Sequence, residues 1–578
     1  MPVMAAEDTI DEDYENIDEE VDLELDDAKT DNSEFAGMSA EELNNLAGTL
    51  MKSGDLSGAV LAYQAALMQH PDDPTAYYNM GYIFIDYLAD TTNGIPLLEK
   101  ALELDPENAD AWFYLGTAYV LINNKENAYY AFQRALDINP LNDAAWYFLG
   151  MMAESFGEID EAFKCFEEAL LINPDNPLVH QSKGVLFSVR GEHEKALVSL
   201  NKAVEEFKKV GETSLVALFH IGVSNLDLGN NEVALEAFEQ VTAMKPQDSL
   251  EEGFITTAYY NIGVIQSASG ETSTAIAKLK EAAERTDGKA DSWLQLGRAY
   301  LDEENFSAAI SALNKAIEIE PENGAAYFYL GNALADMGQA QAAFEAFTES
   351  LTYDPDNSMA WENLGTILFQ FENYLDAAPA FADAVRLNPE NGEAWSYLAR
   401  ALWYEGDEPG AVEAFGRALR VIEEPEAALL NDYGVALNDI KRFEEALAVF
   451  EEAISIDSNI PDYWFNKGNV LNNLGEPEKA LASYQEAVAI DPSPLGYNNI
   501  GLLHLRLQNY EDALAAFESA LELNKNFADV WTSKALSLYH LERYEEALDA
   551  IKSALAIEEF APAGDLKALI HEKMNAEE

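Results

Sequence analysis

A small residue, most often preceded by an apolar one, in strings such as WFYLG, WYFLG, WLQLG and WENLG, returns at a nearly fixed distance along most of this chain. It falls at Ala47, Gly81, Gly116, Gly150, Gly184, Gly222, Gly263, Gly297, Gly331, Gly365, Ala399, Gly434, Gly468, Gly501 and Ala535. The intervals are 34, 35, 34, 34, 38, 41, 34, 34, 34, 34, 35, 34, 33 and 34. Fifteen copies at so constant a period predict a solenoid, in which one small unit stacks on the next without closing a single core. A chain of 578 residues would otherwise divide into roughly three or four separate domains.

The copies share an internal grammar. In the third, Trp112 and Leu115 precede Gly116, Tyr119 follows, and after the polar turn INNKEN come Ala128, Phe132, Ala135 and then Pro140. Spacings of three and four place these residues on one face of each of two helices. Gly116 and Ala128 let the paired helices approach closely, while Trp112 and Phe132 fill the space beside them. Pro140 stops the second helix, because its ring lacks an N–H and clashes with the carbonyl four residues back. The same order recurs at Trp146, Gly150, Ala162, Phe166, Ala169 and Pro174, at Trp361, Gly365, Ala377, Phe381, Ala384 and Pro389, and at Trp464, Gly468, Ala480, Tyr484, Ala487 and Pro492.

This pattern resembles the tetratricopeptide repeat family and covers essentially residues 40–560. The resemblance implies an all-α fold, an α-solenoid whose tandem helical hairpins wind into a right-handed superhelix. Departures from the period suggest finer divisions. The 38- and 41-residue intervals flank the sixth copy, so an irregular repeat and junction are expected at 211–256, between a block of about five repeats at 40–210 and one of about nine at 257–560. Pro379 sits within a second helix, where it is expected to bend the first turns. PAGDLKALIHEKM, in 561–578, reads as a capping helix over the last apolar face.

Ahead of the repeats, 1–39 is expected to form a disordered acidic tail. Residues 7–34 hold fifteen Asp or Glu and the single basic residue Lys29, too little apolar surface to offset the entropy of ordering them. Such a tail either keeps the chain soluble or folds on a partner through ENIDEEVDLELDD.

Chemistry on the repeats is hard to find. The seven histidines are scattered, no pair has the four-residue spacing of a helical zinc site, and no glycine-rich phosphate loop occurs. The acidic turns DPENAD, NPDNP and DPDNS lack the order of a calcium loop, and are explained by Pro stopping one helix and Asp or Asn capping the next. Cys165 has no neighbouring histidine in the pattern and reads as a packing residue. A non-enzyme without cofactor or metal is therefore expected.

Surface recognition remains. In the tetratricopeptide repeat family the first helices line a concave groove, and the resemblance implies that residues three and two before each glycine, and one after it, face a ligand. In the second to fourth copies these are Tyr78, Asn79 and Tyr82, then Phe113, Tyr114 and Thr117, then Tyr147, Phe148 and Met151. The aromatic stripe is either a binding surface or packing between repeats. Later copies carry Arg298, Asn332, Arg400 and Asn469 after the small residue, and Asn363, Asn466 and Asn499 two before it. Family members use such asparagines to hold a peptide backbone, with which an amide both donates and accepts. Here Gln295, Tyr329 and Tyr397 interrupt that ladder. Arg298 and Arg400 either hold a partner's carboxylate or neutralise nearby Glu. Phe328 and Phe465 stand where the family's clamp for chaperone tails carries Lys, which argues against that particular function.

Charge narrows the partners. With 34 Lys and Arg against 105 Asp and Glu, the net charge of −71 opposes nucleic acid and anionic membranes, which bind through displaced counterions. A single cysteine, no basic apolar leader and no spanning stretch lead to the expectation of a cytoplasmic protein. The function expected is a non-catalytic scaffold that binds extended or helical protein segments. The alternatives are a regulatory or targeting subunit of a separately encoded enzyme and a self-associating structural protein.

Overall fold

The computed structural model describes residues 35, 37–285, 288–558 and 561–577, so that the acidic segment up to residue 34 lies outside the described residues. Thirty-one α-helices follow one another from Ala40–Ser53 to Ala561–Glu577, with no strand among the described residues. They pair into fifteen hairpins, one per copy of the sequence period, followed by a single last helix.

The third hairpin shows why each unit forms. Asn108 accepts from the backbone N–H of Ala111 at 3.0 Å and starts helix Ala109–Leu121. Asn124 does the same for Asn127 at 3.2 Å and starts helix Lys125–Ile138. Each cap satisfies one of the backbone donors left over at a helix start. Between the two, Asn123 turns the chain with φ 57°. The helices then close on Gly116, where an added Cβ would stand 2.7 Å from Cε1 of Phe132, a ring with no exposed surface. Gly150 lies under Phe166 in the same way, at 2.6 Å.

Tryptophan has a role that the period alone does not reveal. Trp112, Trp146, Trp361 and Trp395 donate their indole N–H to the carbonyls of Pro106, Pro140, Pro355 and Pro389 at 2.9–3.0 Å. Each ring thus packs with its apolar body and pins the turn entering its own hairpin.

The irregular intervals lengthen helices. Helix His193–Lys209 has 17 residues and Ser249–Ala268 has 20, against 13 or 14 in regular hairpins such as Ala290–Asp302 and Phe306–Ile319. The 35-residue interval between Gly81 and Gly116 takes up its extra residue in a π-helical turn, Ile83–Tyr87. Helix Tyr374–Leu387 continues through Pro379.

The chain divides into two compact units, one ending at Gly288 and the other starting at Lys289. Each is an α-solenoid with its core between neighbouring hairpins. In the first unit one cluster gathers Phe132, Leu149, Met152 and Cys165. In the second, a long cluster runs from Leu294 through Phe347, Phe381 and Phe415 to Val470. There the final helix buries Ala563, Leu566 and Ile570 against Leu538, Ile551 and Ala554.

Candidate functional site

Three consecutive first helices of the second unit, Ala290–Asp302, Gly324–Asp336 and Ser358–Gln370, border a cleft of about 620 Å³. Asp302, Tyr329, Asn332, Asp336, Asn363 and Gln370 line it. The 3.6-residue turn brings these positions to one face of each helix, because residues three and four apart point the same way. Arg298 is exposed, places its guanidinium 5.0 Å from the Tyr329 ring centre, and donates to Gln295 at 2.9 Å. Stacking on Tyr329 restrains its long side chain while leaving the charge open to solvent.

Asn363 donates from Nδ2 to Oδ1 of Asn332 at 2.8 Å, across adjacent hairpins. This single bond orients both amides. It leaves the Asn332 Nδ2 as a donor and the Asn363 Oδ1 as an acceptor, the complement of a peptide unit. Asp302 and Asp336 add negative charge to the rim.

The other polar candidates of this unit are placed differently. Arg400 is occupied within the chain, its Nε 2.9 Å from Oδ2 of Asp432. Asn466 donates to Asn431 at 2.9 Å. Asn469 accepts from the Tyr484 hydroxyl at 2.7 Å, and Asn499 bonds the same hydroxyl. These groups tie one hairpin to the next or one helix of a hairpin to its mate.

In the first unit the aromatic stripe separates into two sets. Phe148 stacks on Phe132 at 5.3 Å with 9° between the planes, and Phe113 lies 6.0 Å from Phe148. Both rings pack against the inter-hairpin core. Tyr147 is half-buried beside Phe166, and burial raises its hydroxyl pKa. Tyr78, Tyr82 and Tyr114 instead meet one another, with Tyr82 and Tyr114 at 4.6 Å, and Asn79 is half-buried on the same helix, Pro74–Tyr82. Tyr87, which the sequence reading passed over, joins them at 5.6 Å from Tyr82. The signal that would have found it is the 13-residue step from Gly81 to Gly94, where Gly116 to Ala128 takes 12, since a residue inserted within the first hairpin helix is taken up as a π-turn that re-aims the side chains beyond it.

Cys165 is fully buried, and burial pushes its thiol pKa up to about 12, far from a reactive thiolate. No group of three or more His, Cys, Asp or Glu among the described residues is arranged to hold a metal ion.

Comparison with known families agrees with this hairpin geometry. Tetratricopeptide repeat families match residues 294–358, 331–391, 362–423, 398–461 and 498–563, with further matches at 461–494, 49–85 and 215–248. The chain belongs to the tetratricopeptide repeat family. Residues 89–169 of this tetratricopeptide repeat protein are also similar to the family "Anaphase-promoting complex, cyclosome, subunit 3". No curated protein matches it. Among solved structures, MamA is 30% identical over 28% of this chain and 95% of its own, with a TM-score of 0.27. YrrB, described as a TPR protein with an unusual peptide-binding site, is 24% identical over 35% of this chain and 99% of its own, at 0.31. The Cut9-Hcn1 hetero-tetramer of the APC/C is 16% identical over 93% and 97%, at 0.30. The repeats make the chain a protein-interaction scaffold. No described helix is long and apolar enough to cross a membrane.

Proposed function

We propose that this tetratricopeptide repeat protein is a non-catalytic scaffold, and that the cleft of its second unit holds an extended segment of a partner protein. The observation that carries this reading is the Asn332–Asn363 pair, whose single mutual hydrogen bond leaves one donor and one acceptor directed by the pair. An extended backbone offers one N–H and one C=O per residue, so it satisfies both groups whatever its side chains. Arg298, stacked on Tyr329 and open to solvent, supplies a cation for a carboxylate of the same segment. The cleft volume suits several residues of extended chain, and its first-helix walls are anchored by the apolar core behind them.

Selection from a peptide library against the full chain tests the reading. The selected peptides are expected to bind at least about tenfold more weakly after joint replacement of Asn332 and Asn363 by Ala, each lost hydrogen bond contributing about 0.5–1.5 kcal/mol. Arg298→Ala is expected to weaken only those peptides that carry an acidic residue. Unchanged affinity in both variants, with melting preserved, would remove the cleft from consideration.

A further inference from the structure

Several half-buried aromatic rings of this chain carry one of its own cations. In the first unit Arg134 lies over Trp112 at 5.8 Å, Arg190 over Phe163 at 5.5 Å and Lys195 over Phe187 at 5.5 Å. In the second, Lys315 lies over Trp293 at 4.3 Å, Lys467 over Trp464 at 5.6 Å and Lys534 over Trp531 at 5.5 Å. The same cations also pair with carboxylates, as Arg134 does with Asp137, Lys467 with Glu451 and Lys534 with Glu518, so ring and carboxylate together hold a cation on this surface. The densest set of tyrosines in the first unit has no such cover among the described residues.

That set is Tyr78, Tyr82, Tyr87 and Tyr114. Tyr82 is its hub, 4.6 Å from Tyr114 at 59°, 5.6 Å from Tyr87 at 81° and 6.4 Å from Tyr78 at 20°. The rings therefore face several directions, and Tyr87 is 52% exposed. Two exposed carboxylates flank them, Asp86 on the π-turn Ile83–Tyr87 and Asp110 at the start of helix Ala109–Leu121. After burial, the charge of Asp110 is the largest influence raising the Tyr78 pKa, and that of Asp86 the largest raising Tyr114, so both carboxylates act at these rings. The π-turn is what brings Asp86 and Tyr87 to the cluster, by adding one residue to the helical turn.

We propose that Tyr78, Tyr82, Tyr87 and Tyr114, with Asp86 and Asp110, form a subsite for a basic side chain, lysine or arginine, carried by a bound partner segment. The rings supply π-faces for the cation and for its methylene stem, and the carboxylates supply opposite charge at the rim. The net charge of −71 adds a long-range attraction for basic segments and speeds their encounter. The inference rests on the chain being a binding scaffold, but it uses a site in the other unit from the asparagine cleft.

The test uses the full chain and three acetylated, amidated pentapeptides, each with a central lysine, arginine or norleucine between glycines, followed by ligand-observed NMR. Lysine and arginine are expected to bind about fivefold more tightly than norleucine, which keeps the stem and lacks the charge. Tyr87→Ala and Asp86→Asn change exposed groups and are expected to leave melting unaltered while removing that preference. Tyr82→Phe keeps the ring and is expected to retain it. Glu486→Gln, an exposed carboxylate of the second unit, is the control for diffuse attraction. Equal binding of the three peptides overturns the inference, and so does a preference that Tyr87→Ala leaves intact or that Glu486→Gln weakens equally. None of these results bears on peptides selected for the Asn332–Asn363 cleft, so failure here and failure of the scaffold reading are told apart.

Discussion

His220 illustrates how one residue's surroundings set its response to pH. It lies on helix Leu215–Asp227, with its ring edge-on to Phe219 at 5.4 Å and to Phe254 at 5.9 Å. Its Nδ1 is buried without a hydrogen-bond partner among the described residues, and burial lowers its pKa from 6.5 to about 4. The charged form is disfavoured because the largely buried ring, with Nδ1 away from water, offers it little solvation. Since the folded pKa lies below the unfolded one, the neutral imidazole adds stability above pH about 6.5, and that contribution is lost as pH falls towards and past about 4. The amount involved is about 3 kcal/mol. A comparison with His220→Phe cancels the effect of the many carboxylates, which both proteins share. Hydrogen exchange of helix Leu215–Asp227, corrected for intrinsic rates, is expected to show the wild type losing about 3 kcal/mol relative to the variant between pH 7 and pH 4. A constant difference across that range would show that the ring is already solvated in the native state.

At the scale of helices and hairpins, the sequence period locates every hairpin, because Gly116, Phe132 and their equivalents repeat the same close approach and can be read from spacing alone. The residues that join hairpins are less legible. Arg400 finds Asp432, Asn363 finds Asn332 and Asn466 finds Asn431, pairs separated by 32, 31 and 35 residues. Each separation is close to one repeat, yet which pair forms depends on how adjacent hairpins stack, and a single-repeat pattern holds no information on that. The same limit divides the aromatic stripe: Phe113 occupies the position of Tyr78 and Tyr147, and Phe148 that of Tyr114, but a phenyl ring has no hydroxyl to keep wet and sinks into the joint beside Phe132. Pro379 is a cleaner case, since its effect is confined to one helix. It is the sixth residue of Tyr374–Leu387, is exposed, and removes one backbone hydrogen bond from a helix that continues past it. Replacement by Ala restores the N–H at a position with no packing to disturb. The helical gain of about 3 kcal/mol is partly offset by the freer unfolded chain, about 0.4–1 kcal/mol, leaving about 2 kcal/mol. Denaturant unfolding followed by hydrogen exchange within this helix is expected to register the increase, and a decrease would mean that the proline is matched to a bend on which the stacking depends.

For the whole molecule, charge is the property that packing within hairpins does not compensate. The 34 basic residues face 105 acidic ones, and many of the ion pairs formed are local, between residues three or four apart on one exposed helix, such as Lys164–Glu161, Arg386–Asp383 and Lys552–Asp549. Such pairs contribute little, about 0.3–0.5 kcal/mol each. Most carboxylates therefore repel across neighbouring hairpins. Packed helices lie roughly 8–10 Å apart, about one Debye length at 0.15 M salt but well inside the roughly 30 Å that applies at 0.01 M. Repulsion between hairpins is consequently unscreened in dilute buffer and largely screened in strong salt. Within each unit the core consists of contacts between adjacent hairpins, so stability is a sum of local interfaces, and the repulsion is felt interface by interface. The melting temperature is thus expected to rise by several degrees between about 10 mM and about 500 mM NaCl, with most of the rise complete by about 150 mM, where the Debye length falls to the helix spacing. An unchanged melting temperature would mean that bound counterions already neutralise the surface in dilute buffer. A rise that continued linearly beyond about 500 mM would point to salting-out of apolar surface instead of screening.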